Sequence, residues 1–156
     1  MKSCFFIGHS EIFTSISDAL EKEIERHITD YSVREFIVGT YGDFDRLTAH
    51  ALYNAKKRHP EIVLLCLSPY HPADRRIQVP EGFDSLFYPP IMENVPKRYA
   101  IVRANRYMID TTDYLIAYVW KAASNSREIL EYALKREKRG LIHVTQLYTV
   151  REGIIR

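Results

Sequence analysis

The sequence has little that would support a disulfide framework or a metal site. Of its 156 residues only Cys4 and Cys66 are cysteine, and both lie in apolar segments, where a free thiol behaves as a small hydrophobic group. The six histidines are scattered and form no HxH or HExxH pattern, and no CxxC pattern is present. We therefore expect two free thiols, no metal and no cofactor.

Long hydrophobic runs are also missing. The apolar segment at the N-terminus, residues 4–7, is interrupted by Gly8 and is too short for the core of a signal peptide or for a membrane helix. We expect a cytoplasmic protein without a membrane partner.

Neither sign of charge is in excess. The 22 Lys and Arg residues against 20 Asp and Glu residues leave a formal net charge of +2. A charge this small gives no general attraction to nucleic acid or to an anionic membrane. We therefore do not expect a nucleic-acid partner, and any anionic ligand must be held by a local site.

What the sequence does contain is the pattern of one α/β domain, residues 1–156. Hydrophobic residues make up 46% of the chain, and short apolar runs alternate with amphipathic stretches. This pattern predicts a Rossmann-like open parallel sheet of about five strands with helices on both faces. The predicted strands are residues 4–7, 35–38, 62–67, 114–119 and 141–144. The predicted helices are residues 13–28, 45–59, 97–108 and 126–139.

A proline-rich excursion interrupts this alternation at residues 69–96. Six of the seven prolines lie there, and proline disrupts both helices and the interior of a sheet. The segment is predicted to be a long loop, of the kind that serves as a lid, a binding loop or an interface arm.

The loops that follow the predicted strands contain the candidate ligand-binding residues. In an open α/β sheet, ligands bind beyond the carboxyl ends of the strands, where glycines allow close approach and helix amides donate to phosphate. Asp45 is suited to ribose hydroxyls, because a carboxylate repels phosphate. The candidates are Gly8, His9, Ser10, Gly39, Thr40, Tyr41, Gly42, Asp45, Tyr70, Tyr118, Ser124, Asn125 and Ser126, with Arg103 and Arg106 as the local cations.

Each of these features has a purely structural alternative. Asp43 or Asp45 would cap the second helix, and Ser124 or Asn125 would cap the last one, with Glu128 completing a capping box. The basic face of the helix at 97–108 would simply be solvated. These alternatives remain open at this point.

The aromatic share of 12%, with eleven tyrosines, leads to a prediction about placement. Several aromatic residues are ordinary core candidates, but others fall beside the strand ends, where their rings would stack on bases. The latter are Tyr41, Phe44, Tyr70, Tyr118 and Trp120.

Three segments of the sequence resemble the SLOG superfamily, which contains the DprA/Smf proteins, the LOG phosphoribohydrolases and small DUF1273-like proteins. They are residues 6–10, residues 38–52 with the sequence VGTYGDFD at their start, and residues 103–118. The resemblance implies a Rossmann-like sheet that binds nucleotide-derived ligands at the strand ends, commonly as a homodimer or higher homo-oligomer.

The resemblance implies three candidate functions. The first is a non-catalytic protein that binds an ADP-ribose-like or cyclic ADP-ribose-type signal, as a sensor or a sequestering sponge in defence or anti-defence. The second is a nucleoside 5′-monophosphate phosphoribohydrolase, with Glu128 as acid/base and Arg103 holding phosphate. The third is a DNA-associated interaction module, by analogy with DprA. The glycine-rich loop of the hydrolases is missing from residues 120–126, so the first function is the expected one.

Overall fold

The computed structural model of the chain describes residues 1–12 and 15–148, which form a parallel sheet between two layers of helices. The six strands lie in the order β4-β3-β2-β1-β5-β6, and each pairs in parallel with its neighbours. They are β1 (Lys2–Gly8), β2 (Val33–Val38), β3 (Val63–Leu67), β4 (Ser85–Phe87), β5 (Tyr114–Tyr118) and β6 (His143–Gln146).

The four α-helices cover the two faces of this sheet. They are α1 (Ser17–Thr29), α2 (Asp43–Arg58), α3 (Ala100–Thr111) and α4 (Asn125–Lys138), and two 3-10 segments, Pro90–Asn94 and Lys97–Tyr99, precede α3. Helices α1 and α2 pack on one face, and α3 and α4 pack on the other. Each helix presents an apolar stripe to the sheet, as an amphipathic helix in a layered fold must.

The core has two halves because side chains alternate along each buried strand. On β1, Cys4 and Phe6 pack with α1 and α2, while Phe5 and Ile7 pack with α3 and α4. All four side chains are almost completely buried. Such two-sided burial explains why the strand reads as a continuous apolar run rather than as an alternating pattern.

The predicted fold class is confirmed, with one strand added. Strand β4 lies inside the proline-rich excursion and pairs with the edge of β3 through Leu65–Ser85 and Leu67–Phe87. Its three residues are too few to give a periodic signal, and prolines at 80 and 89 flank them. The helix predicted over 97–108 begins only at Ala100, because a 3-10 turn follows Pro96.

Sheet topology places an opening at the centre of the molecule. The chain builds outward from β1 to β2 and β3, then returns through α3 to β5 on the other side of β1. The boundary between β1 and β5 is therefore the point where the strand order reverses, which is where ligand crevices form in such sheets. Within the described residues, no helix is both long enough and apolar enough to cross a membrane.

Candidate functional site

A crevice of about 310 Å³ lies at the carboxyl ends of the central strands, between α3 and the start of α4. A second crevice of about 330 Å³ adjoins it, shares Gly39 and Asp45, and is also lined by Thr40. The predicted binding residues that line the first crevice are Gly8, Ser10, Gly39, Tyr41, Asp45, Asn125 and Ser126.

Two glycines lock together the loops that follow β1 and β2. A Cβ atom on Gly8 would lie 2.3 Å from the ring of Phe44, and one on Gly42 would lie 2.4 Å from the Cα atom of Ser10. Gly42 also has φ of 118°, which favours glycine. The Asp43 N–H donates to the Ser10 carbonyl at 2.9 Å. Gly8 therefore leaves room for the first turn of α2 at the end of β1, and Gly42 leaves room for the loop after β1.

Asp45 is the acidic group of the crevice. Its Oδ2 atom accepts the backbone N–H of Tyr41 at 2.8 Å, which fixes the carboxylate at the crevice wall. Burial raises the pKa of Asp45 from 3.8 to about 6, although the Tyr41 N–H and the nearby Arg46 both act to lower it. The cap residue of α2 is Gly42 and no side chain caps the helix, so the capping alternative for Asp43 and Asp45 is wrong.

His9 does not line the crevice and instead binds the loop that follows β5. Its Nε2 atom accepts the backbone N–H groups of Trp120 and Lys121, at 2.9 and 3.1 Å, so the ring proton must lie on Nδ1. Burial is the main cause that lowers the pKa of His9, and the positive charges of Lys121 and Arg127 lower it further. His9 is buried and holds the loop after β5 in place, which makes it a positioning residue of this site.

The same loop is fixed at its other end by the cap of α4. The Ser124 hydroxyl accepts the Arg127 N–H at 3.1 Å, so the capping alternative is correct for Ser124. A capping box requires Glu or Gln three residues after the cap residue. Arg127 occupies that position, so Glu128 does not complete a capping box with Ser124. Ser126 donates from its hydroxyl to the Gly8 carbonyl at 3.3 Å, which joins the start of α4 to the end of β1.

The structure does not bring the proposed hydrolase pair into the crevice. Glu128 is exposed on the first turn of α4, and Arg103 is exposed on α3. Neither belongs to the lining formed by the described residues. The geometry therefore gives no support to a reaction in which these two groups act on one bound nucleotide.

A different face of α3 and of the turn before it lines the crevice. Arg98, Ile101, Val102 and Asn105 do so, with the i, i+3, i+4, i+7 spacing of one helical face. Arg106, predicted as a ligand-binding cation, instead lies over the ring of Tyr132 on α4, at 4.6 Å. Sequence reasoning missed the four lining residues, although their spacing was visible in the predicted basic helix.

The aromatic residues near the strand ends divide between core and surface. Tyr118 and Phe44 are completely buried and stacked on each other at 5.9 Å, so Tyr118 belongs to the core and leaves the candidate site. Tyr118 follows Ile116 by two positions on β5, and both side chains therefore point to the same buried face.

Tyr41 and Tyr70 lie at the surface instead. Tyr41 is 38% exposed and lines the crevice. Tyr70 is half-buried and carries the guanidinium of Arg75 over its ring at 4.2 Å. Burial raises the pKa of Tyr41 to about 12, with Tyr70 adding to the rise and Arg75 opposing it, so the three side chains are electrostatic neighbours.

Comparison with known proteins gives a similarity in structure but none in sequence. No family model matches the sequence, and no curated protein matches it. The fold is similar to a solved structure of DNA processing protein A from Helicobacter pylori, with a TM-score of 0.54 and 13% sequence identity. The similarity covers 98% of this chain and 78% of that one. That protein is described by its single-stranded DNA binding mode.

The chain therefore has a DprA-like fold. At this sequence identity the similarity shows the fold alone, and membership of the SLOG superfamily and of its DUF1273-like proteins stays a prediction. Among the described residues, no group of three His, Cys, Asp or Glu side chains is placed to hold a metal ion.

Two expectations from the sequence need correction. The similar structure binds a DNA strand, which overturns the expectation of a nucleotide-derived signal as ligand and, with it, the sensor and sponge functions. It also overturns the exclusion of a nucleic-acid partner. That exclusion rested on net charge, which averages over the whole surface. Residues 97–108 contain one Lys, three Arg residues and no carboxylate, and Arg98 among them lines the crevice.

Proposed function

We propose that this protein binds single-stranded DNA in the crevice between α3 and α4. The observation that carries the proposal is the lining of the crevice, where exposed apolar side chains stand next to a guanidinium. Ile101 and Val102 are each 37% exposed, and Arg98, in the turn that precedes α3, lines the same crevice. On a surface of this kind, bases can stack on the apolar side chains while the guanidinium pairs with a phosphate.

The size of the crevice favours a single strand. A volume of about 310 Å³ is at the lower end of the range for small-ligand pockets and suits about one nucleotide. A duplex keeps its bases inside the stack and cannot place one there without first being opened. An unpaired strand can insert a base into the crevice while its backbone continues across α3.

Two arginine–tyrosine pairs adjoin this surface, one through Arg98, which lines the crevice, and one near Tyr41, which also lines it. The guanidinium of Arg98 lies over the ring of Tyr99 at 4.8 Å, and that of Arg75 lies over the ring of Tyr70 at 4.2 Å. Tyr99 is 50% exposed. Each pair offers a π-face for a base and a cation for the adjoining phosphate, a combination typical of surfaces that bind single strands without strict sequence selection.

The similarity to DNA processing protein A supports the same function independently of the lining residues. Two proteins that share a fold need not share a function, so the similarity alone would not carry the proposal. Here a partly apolar crevice with one guanidinium in its lining lies at the strand ends of a sheet whose solved counterpart is described as binding single-stranded DNA.

The test is fluorescence anisotropy with a labelled oligothymidine of about 16 nucleotides. We expect Arg98→Ala to weaken binding by about tenfold, since one charge-assisted contact to phosphate is lost, and to make the salt dependence less steep. Arg139→Ala is the matched control, because Arg139 is exposed at the far end of α4. No binding of the oligonucleotide, or equal losses in the two variants, would contradict the proposal.

A further inference from the structure

The carboxylate of Asp45 is out of place in a site built only for a DNA backbone. It lines both crevices and shares its surroundings with the cations that would attract phosphate. A phosphate next to a partly buried carboxylate is strongly repelled. The group that approaches Asp45 must therefore be a part of the DNA that donates hydrogen bonds, and in a deoxynucleotide chain that part is a base.

The geometry of Asp45 leaves it as a pure acceptor with a fixed orientation. Oδ2 accepts the Tyr41 N–H at 2.8 Å. A Cβ atom on Gly39 would lie only 3.0 Å from the same oxygen, so the loop closes tightly around it. Among the described residues, Oδ1 accepts no hydrogen bond. One oxygen of the carboxylate and a lone pair of the other are thus left for a ligand.

We propose that the crevice selects guanine from a single strand through Asp45. This inference rests on the proposed function and names the base that the site would prefer. The Watson–Crick edge of guanine has two adjacent donors, the N1–H and the N2 amino group, which match the two oxygens of one ionised carboxylate. The amide of Asn105 or Asn125, both in the same lining, supplies a donor for the guanine O6 atom.

The other three bases do not fit this acceptor. Adenine and cytosine each place a ring nitrogen with a lone pair beside their amino group, so a carboxylate would gain one hydrogen bond and meet one repulsion. Thymine has a single N–H between two carbonyl groups. A base that leaves a buried acceptor unpaired is rejected more strongly than one that merely lacks a contact.

Burial of the charge gives the pair its strength. Desolvation raises the pKa of Asp45 to about 6, so the group is ionised near neutral pH but poorly compensated by the protein. Two donors from a base would replace the missing solvation, and Tyr41 beside the carboxylate offers an exposed ring against which the base can stack.

The experiment compares oligothymidines that differ in one central nucleotide: guanine, hypoxanthine, adenine, cytosine or thymine. Hypoxanthine keeps the N1–H but lacks the N2 amino group, so it removes one of the two donors. Dissociation constants are measured by anisotropy with the full chain at about pH 7.5, where the carboxylate is ionised. We expect the guanine strand to bind about tenfold more tightly than the adenine, cytosine and thymine strands, with hypoxanthine between.

Two variants assign the preference to its residue. Asp45→Asn should bring the ratio of guanine to adenine affinity to one or below, because the amide replaces one acceptor by a donor and then matches the amino group and ring nitrogen of adenine. Asp43→Asn is the matched control, since Asp43 lies two positions away on the same helix and pairs with Arg46 at the surface. It should keep the ratio.

The outcomes separate this inference from the proposed function. If all strands bind with equal affinity, guanine selection is wrong while DNA binding stands. If no strand binds, the proposed function fails and the inference fails with it. A preference that survives Asp45→Asn overturns the assignment to this residue. The hypoxanthine comparison requires no variant, and equal affinity for guanine and hypoxanthine overturns the two-donor pairing.

Discussion

The charge of Asp45 destabilises the folded chain above about pH 6. Its pKa is about 6 in the folded chain, against an ordinary value of 3.8. The folded state therefore holds a proton that the unfolded state has already released between these two values. Stability from this group is present below about pH 4 and is lost as the pH rises through the folded pKa.

Replacing the carboxylate should relieve this cost. We expect Asp45→Asn to raise the free energy of unfolding by about 1 to 3 kcal/mol at pH 8, because the amide keeps an acceptor for the Tyr41 N–H without the buried charge. The upper value of this range is the free energy that corresponds to the full difference between the folded pKa of about 6 and the ordinary value of 3.8. Because the side chain is partly exposed, solvent screening reduces this free energy. Urea unfolding at pH 8 and at about pH 4 measures the effect, which should nearly vanish at the lower pH.

Asp43→Asn again provides the comparison. Asp43 is exposed and forms a surface ion pair with Arg46, which contributes little to stability. A gain in stability for Asp43→Asn equal to that for Asp45→Asn, or a gain for Asp45→Asn that does not depend on pH, would show that burial of the carboxylate is not the cause.

Individual side chains show where sequence reasoning succeeds and where it stops. Asp45 and Tyr41 were predicted from their position after β2, because the ends of parallel strands meet at one edge. Arg103 was predicted because it is a cation on a basic helix, whereas Arg98 lines the crevice. The choice between them depends on which face of α3 packs against the sheet, and the sequence shows two competing apolar faces there.

The loop between β5 and α4 depends on the neutral form of His9. The Nε2 atom of the ring accepts two backbone N–H groups, so a proton on Nε2 would break both hydrogen bonds. Burial lowers the pKa of His9 and thereby favours the neutral ring. The contribution of His9 to stability is full above about pH 6.5 and is lost as the pH falls through the lowered folded pKa. This direction is opposite to that of Asp45.

His9→Ala should lower the free energy of unfolding by about 1 to 3 kcal/mol at pH 8, because it leaves two backbone donors without their acceptor. It should also weaken DNA binding, since Asn125 and Ser126 stand at the end of this loop. Urea unfolding and anisotropy on the same preparation measure both effects.

His9→Gln is the partial rescue, because its side-chain oxygen can accept the same N–H groups. A difference between wild type and His9→Ala that grows rather than shrinks at about pH 5 would contradict the role assigned to the neutral ring.

Among secondary structure elements, strong periodicity decided what could be predicted. Helices α1, α2 and α4 and the strands of the core were visible because their apolar residues recur over two or more turns or form buried runs. Strand β4 was not, since Ser85–Phe87 is a short edge strand whose position depends on pairing with β3. The start of α1 was predicted at Phe13, which lies outside the described residues, and the helix begins at Ser17.

Across the protein, the distribution of charge matters more than its sum. The formal charge of +2 conceals a segment, residues 97–108, with four cations and no carboxylate. If this segment contacts two or three phosphates, affinity for a single strand should fall by about 7- to 20-fold between about 50 and about 200 mM NaCl. Affinity that does not change with salt would place the strand away from this segment.

Other properties of the chain as a unit remain predictions. They are a single domain over residues 1–156, a homodimer or higher homo-oligomer, and a cytoplasmic location. Size-exclusion chromatography with light scattering, in the presence and absence of oligothymidine, would measure the oligomeric state directly.

The contact between the loops after β1 and β2 has an evolutionary consequence. Gly8 leaves room for Phe44, and Gly42 leaves room for Ser10, so neither glycine can gain a side chain while its neighbour keeps its place. In descendants of this sequence, a larger residue at 8 should appear only together with a smaller one at 44. Gly42 should stay glycine whatever residue stands at 10, because its Cβ atom would meet the Cα atom of Ser10 and its φ of 118° favours glycine.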